Sequence, residues 1–278
     1  MIHHLTIIGV GLIGGSVAKA LRCENAVGHV TGFGRRESTL QRAQALGVID
    51  SWSLDLGAAV EQAEVVIISS PVNTIASIFH ELKSYLGETT IVTDAGSVKG
   101  SIVDAAVRGL GDKIINFVPG HPIAGKEKSG VDAASETLFY GHRTILTPMA
   151  NTRTEAISAV KDMWETIGAE VVFMEPSVHD DLLALTSHLP HALAFILVDL
   201  LSRQNNSKNC LNLSAGGFYD ITRIASSDPV MWRDIFLSNK HAILQRLTEY
   251  SSAIDDLAGL IDRSDSSALE EMFKHANE

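Results

Sequence analysis

The sequence predicts an α/β protein in two parts: a doubly wound parallel sheet over residues 1–174, then an all-helical domain over residues 175–278. Three observations carry this. Short β-branched runs alternate with amphipathic stretches through the first part, and such alternation builds a parallel sheet covered on both faces. The first apolar run ends in glycines and opens into a helix. After Glu175 and Pro176 no convincing strand follows, and long stretches of helical apolar spacing take over.

Taken in order, residues 5–8 form a strand closed by glycine, and 13–21 have helical character. The pair repeats as a strand at 29–33 and a helix at 38–46. Residues 64–68 are apolar and β-branched, stopped by Ser69, Ser70 and Pro71, and 73–86 are amphipathic. Short strands are expected at 90–93, 114–118 and 144–146, a helix at 154–167 and a last strand at 170–173. In the second part, helices are expected over 179–201, 231–251 and 252–272, with the Asn/Ser-rich stretch 203–209 as a loop.

The 278 residues, 45% apolar and 20% charged, allow one or two domains with a sizeable core. Acidic residues outnumber basic ones 33 to 22, a net charge of −11, which argues against nucleic acid as the main partner. A small anionic substrate needs only a local basic pocket. Cys23 and Cys210 have no metal-type spacing and make no disulfide framework. HEXXH and paired CXXC motifs are absent, so no metal is expected. The N-terminus shows no secretory leader. The longest apolar runs, such as 192–198, fall short of the ~20 residues a membrane helix needs. A cytoplasmic chain without a membrane partner is expected.

The first strand runs into "GVGLIGGS", where Gly9, Gly11 and Gly14 are spaced as GxGxxG. Between a strand and a helix this is the Rossmann dinucleotide fingerprint. Gly9 allows the tight turn, Gly11 lets a pyrophosphate approach the backbone, and Gly14 lets helix and strand pack closely. Leu12 and Ile13 join the cofactor set because the free N–H groups of a helix start, with its dipole, favour anions. Ser70 and Pro71, at the end of a neighbouring strand, complete it. NAD binders place an acid about 20 residues further on. That position is Gly34 here, followed by Arg35 and Arg36. A carboxylate would repel a 2′-phosphate, whereas an arginine pairs with it. NADP is therefore expected to be preferred, with NAD possible as an alternative. Solvated surface arginines are the plainer alternative.

Residues 119–125 read "PGHPIAG". On its own this is either a turn with an incidental His121 or a base held in a rigid frame. Further segments bear on the choice: "TDAGSVKG" (93–100), "GHPIAGKEKSG" (120–130), "TSHLPHALAF" (186–195) and "GGFYDITRIASSDPVMWRDIF" (216–236). Together, and in this order, they resemble the prephenate/arogenate dehydrogenases of tyrosine biosynthesis, over almost the whole chain. The resemblance implies oxidative decarboxylation of a cyclohexadiene, with hydride passing to the nicotinamide. His121 is then the acceptor for the substrate hydroxyl, since neutral imidazole suits a base near pH 7. Ser97 is expected to orient it.

The resemblance also makes Arg223 the partner of a substrate carboxylate, its planar fork suiting a bidentate contact. A structural ion pair with Asp220 or Glu127 is the alternative. His191 and His188 are candidate substrate contacts, His191 being the better match. Trp232 is expected near Arg223, where a cation–π contact would hold the guanidinium; plain core packing is its alternative. Lys126 departs from the family pattern of a small hydroxyl residue. A second cation beside the substrate leans toward prephenate, with two carboxylates, over arogenate; a side chain turned to solvent is the other reading. The helical domain is expected to form a homodimer. Rival functions are a 3-hydroxyacid dehydrogenase or imine reductase on the same architecture, and a non-catalytic NADP(H) sensor. The first leaves the helical-domain motifs unexplained, and the second should have lost its pocket residues.

Overall fold

A computed structural model of the chain describes residues 1–126 and 128–277. Strands β1 (Ile2–Ile8), β2 (Val27–Phe33), β3 (Ser51–Ser53), β4 (Val65–Ile68), β5 (Ile91–Asp94) and β6 (Phe117–Val118) form one parallel sheet in the order β3-β2-β1-β4-β5-β6. Helices α1 (Leu12–Cys23), α2 (Glu37–Ala45), α3 (Leu56–Val60), α4 (Val72–Leu82) and α5 (Gly100–Gly109) cross between them. Strand order reverses between β1 and β4, the crevice where such sheets bind ligands.

Alternation along each strand splits the core in two. Leu5, Ile7, Val65 and Ile67 pack with α1 residues on one face, and Ile8, Val66 and Ile68 pack with Phe79 and Ile102 on the other. All four residues of β4 are buried, as a strand covered on both sides requires. The expected strand at 114–118 is mostly a 3-10 turn, Gly111–Asn116, that leaves β6 two residues long. The elements β3, α3 and α5 were not anticipated.

The chain does not add its last strands to that sheet. Instead β7 (Gly120–Pro122), β8 (Arg143–Leu146) and β9 (Glu170–Phe173) make a second sheet, backed by α6 (Thr154–Thr166). Here β7 runs antiparallel to β8, with His121 opposite Ile145. As an edge strand β7 tolerates Pro122, which has no N–H for a ladder.

The second domain contains α7 (Pro176–Leu183), α8 (Leu189–Ser202), α9 (Ser207–Asn212), α10 (Gly216–Thr222), α11 (Pro229–Ser238), α12 (Lys240–Asp262) and α13 (Ser266–Asn277). Its breaks differ from the expected ones. Asn239 divides α11 from α12, α12 runs through 251–252, and Ser264 turns the chain at φ +55°. The stretch 203–209 is only partly loop, since α9 begins at Ser207. Pro190 lacks the N–H an α-helix would use, and the turn before it, Ala184–His188, widens into a π-helix that absorbs the defect. With that turn, Pro176–Ser202 is a 27-residue helical run, long and apolar enough by length and composition to cross a membrane. Short apolar runs hid this. The same helix supplies site residues. Helices α9, α10 and α13 bury no residue, and Leu213, Ile221 and Phe273 are exposed.

Candidate active site

The glycine loop has the shape its spacing predicts. Gly9 has φ +93°, and a Cβ there would lie 2.7 Å from Ser70 Oγ and 2.9 Å from the Ser69 carbonyl. At Gly14 a Cβ would meet Ile7 Cγ2 at 2.6 Å, so helix and strand pack in contact. At Gly11 it would meet nothing within 4 Å, which leaves the approach open. No side chain caps the start of α1, so the first N–H groups remain available to an anion. A dinucleotide would fit this cradle, where Gly9, Gly11, Leu12, Ile13 and Gly14, with Ser70 and Pro71, would hold it. Gly34 ends β2, and Arg35 and Arg36 are exposed beyond it, without an ion pair among the described residues.

His121 sits on β7 itself, rather than beyond a strand end. Its half-buried ring is bonded through Nδ1 to His179 Nε2 at 2.8 Å. His179 Nδ1 is in turn 2.8 Å from Asp180 Oδ1. The Asp180 carboxylate also accepts the backbone N–H groups of Lys99, at 2.7 Å, and Gly100, at 2.8 Å, where α5 begins. Beneath this chain Lys99, fully buried, donates to Asp94 Oδ2 and to the Gly120 carbonyl, each at 2.5 Å. The ends of β5 and β7 are thereby pinned together.

Burial sets the protonation states. It holds His121 well below the ordinary 6.5, aided by repulsion from His179, Lys99 and His188. His179 is lowered by burial, against the pull of its bond to Asp180. Burial pushes Asp180 up, but the His179 bond and the two backbone N–H groups outweigh it and leave the carboxyl below its usual range. Burial also lowers Lys99, opposed by Asp94. Burial thus favours a neutral His121, with the carboxylate form of Asp180 favoured on the far side of His179.

A pocket of about 840 Å³ gathers Lys126, Lys128, His191, Arg223 and Ser227 with residues 132–136. Asp132, at its rim, is paired with Arg42 at 2.5 Å. Lys126, Lys128 and Arg223 share this lining with the carboxylates Asp132 and Glu136. Lys126 is exposed and lines this pocket, with Nζ 3.5 Å from the Ala133 carbonyl. Glu127, the alternative partner of Arg223, lies outside the described residues. His191 donates from Nδ1 to the Ser187 carbonyl, 2.9 Å away, which fixes its ring.

Three expectations change. Ser97 does not orient His121: among the described residues its hydroxyl makes no hydrogen bond, and the bonded nitrogen of His121 is taken by His179. Trp232 lies flat on His191, ring centres 3.7 Å apart, in place of the expected stack on Arg223. His188 is only 1% exposed and meets Asn239 Nδ2 at 3.3 Å, so it has no face left for a substrate. The residues missed were His179, Asp180, Lys99 and Asp94. Two of them stood inside "TDAGSVKG", and the His-Asp pair at 179–180 was the available signal for the others.

Residues 17–173 match the family model described as prephenate dehydrogenase, nucleotide-binding domain, and residues 175–275 the one described as prephenate dehydrogenase, dimerization domain. A cyclohexadienyl dehydrogenase of Zymomonas mobilis is 37% identical, over 98% of this chain and 93% of its own length. A prephenate dehydrogenase of Bacillus subtilis is 38% identical, over 99% of this chain and 74% of its own. Among solved structures, that of prephenate dehydrogenase from A. aeolicus in complex with hydroxyphenyl propionate and NAD+ superposes with a TM-score of 0.94. It is 40% identical, over 100% of this chain and 96% of that one. Matched in both domains and nearly end to end, this chain belongs to the prephenate dehydrogenase family.

Proposed function

We propose that the chain oxidatively decarboxylates prephenate, and arogenate less well, with hydride transfer to a nicotinamide dinucleotide, as a step toward tyrosine. The observation that carries this reading is His121, fixed on a strand of a dinucleotide-binding domain by its bond to His179, in a chain that also holds a pocket lined by Lys126, Lys128 and Arg223. When bound, the nicotinamide supplies the hydride acceptor. Arg223 and Lys126 hold substrate carboxylates, and His191, braced by Trp232, holds the ring. His121 accepts the hydrogen bond of the substrate hydroxyl as hydride leaves the carbon that bears it. Carbon dioxide leaves the opposite ring carbon as the ring becomes aromatic. Ser97 stands two residues before Lys99 at the nicotinamide end and contacts the substrate or cofactor directly.

NADP is the preferred cofactor in this reading, because Gly34 offers no carboxylate and Arg35 and Arg36 can meet a 2′-phosphate. Residues 1–174 bind the nucleotide. Residues 175–278 complete the substrate pocket and pair with a second copy through the apolar faces that α9, α10 and α13 leave uncovered; sedimentation as a monomer at micromolar concentration would remove that part. The chain works in the cytoplasm with both cysteines free. Prephenate and arogenate, each assayed with NADP and NAD, form the test, with reduced nicotinamide as the readout. The expected ranking is prephenate with NADP first. A preference for NAD overturns the arginine argument, and no turnover in any combination overturns the function.

A further inference from the structure

We infer that His179 and Asp180 are positioning residues that lock His121 in one tautomer, with the proton on Nδ1 and the lone pair on Nε2. This rests on the reading of His121 as the base. With His179 neutral, the state its burial favours, each step follows from the one before. The Asp180 carboxylate can only accept hydrogen bonds. His179 Nδ1, 2.8 Å from it, therefore carries a hydrogen. In a neutral imidazole the other nitrogen is then an acceptor, so His179 Nε2 must receive a hydrogen from its neighbour. That neighbour is His121 Nδ1, at 2.8 Å. The lone pair of His121 is left on Nε2, the only nitrogen free to meet a substrate hydroxyl.

The anchor of the chain is built with care. The Asp180 carboxylate accepts from two N–H groups at the start of α5, where the helix dipole favours negative charge. Gly100 is needed there, because a Cβ would stand 2.9 Å from Asp180 Oδ2. Asn239 Nδ2 donates to the Asp180 backbone carbonyl at 2.8 Å and fixes the main chain. When His121 Nε2 takes up hydrogen-bond density from the hydroxyl, positive charge grows on its ring. His179 then accepts a stronger bond from Nδ1, and Asp180 faces that charge through the second ring. A carboxylate acting through one imidazole is a known catalytic arrangement; here two imidazoles lie in series.

The test is the tautomer itself, read by ¹⁵N–¹H correlation spectra of the full chain with ring-labelled histidine near neutral pH. The His121 signals are assigned by their loss in His121→Gln. The expected result is a protonated Nδ1 and an unprotonated Nε2 in both His121 and His179. A His121 ring protonated on Nε2 overturns the inference, and the tautomer itself is read in the native chain. Asp180→Asn should shift His179 and His121 toward the other tautomer and lower kcat on the order of 10²- to 10⁴-fold, with the substrate KM within about twofold. Unchanged kcat in that variant also overturns the inference. The two readings fail separately: full turnover by His121→Gln sinks the base assignment, whereas an Nε2-protonated ring in an enzyme that needs His121 sinks the relay alone.

Discussion

Burial acts on His121 and His188 in the same direction, with different consequences. His121 is held well below 6.5, so the proposed base stays neutral where a free imidazole would already be half protonated. The prediction is that log kcat/KM stays level as pH falls to 6.5 and bends only below it; an acid limb centred at 6.5 or above would contradict it. His188, pushed down to about 4 mainly by burial, touches stability instead. Its depressed value means that the unfolded chain takes up the proton first. The stability it permits is therefore complete above 6.5 and is lost as pH falls toward 4. The gap amounts to about 3 kcal/mol. Urea unfolding at stepped pH should show a shallower acid loss in His188→Gln than in the native chain. At this scale the sequence was readable where a residue carries its own frame: His121 stood between two prolines, and Gly9, Gly11 and Gly14 kept their spacing. It was unreadable where the fold makes the relationship. His179 lies 58 residues from His121, and only the docking of α7 on β7 brings them into contact.

Strands of ordinary length announce themselves as apolar or β-branched runs, and β1, β2 and β4 were placed that way. A three-residue β3 or a two-residue β6 has too few positions for any period to show. The π-turn before Pro190 was hidden for another reason, since proline states that a helix is disturbed but not how the turn absorbs it. The most consequential unforeseen element is β7, which carries the base. Its place depends on Gly120, where a Cβ would lie 2.9 Å from the Asp94 carbonyl. Gly120→Ala should push β7 off β5 and carry His121 with it. A loss of kcat on the order of 10²-fold is expected, as for a displacement near 1 Å. Nucleotide affinity, measured by fluorescence titration, should be unchanged because the glycine loop of α1 is untouched. Equal losses in both would mean that the domain as a whole had been disturbed.

The whole molecule carries a net charge of −11, yet gathers Lys126, Lys128 and Arg223 at one pocket. An anionic substrate is drawn there against the overall field, and salt must weaken that attraction. Raising ionic strength from about 0.01 M to about 1 M shrinks the screening length from ~30 Å to ~3 Å. KM for prephenate should rise severalfold over that range while kcat holds; a salt-independent KM would remove the cationic pocket from substrate capture. The two-domain order was legible at this scale, because a change from strand–helix alternation to helices alone spans a hundred residues. How the domains join was not, since it takes a small cluster of Val98 with Trp232 and Ile235 and bonds such as those from the N–H groups of Lys99 and Gly100 to Asp180, all between residues far apart in sequence. That joint works as an interlock. One side chain both staples the helical domain to the nucleotide domain and arms the histidine, so parting the domains breaks the seam and the trigger together. A substitution that loosens this seam is therefore expected to cost catalysis along with domain contact.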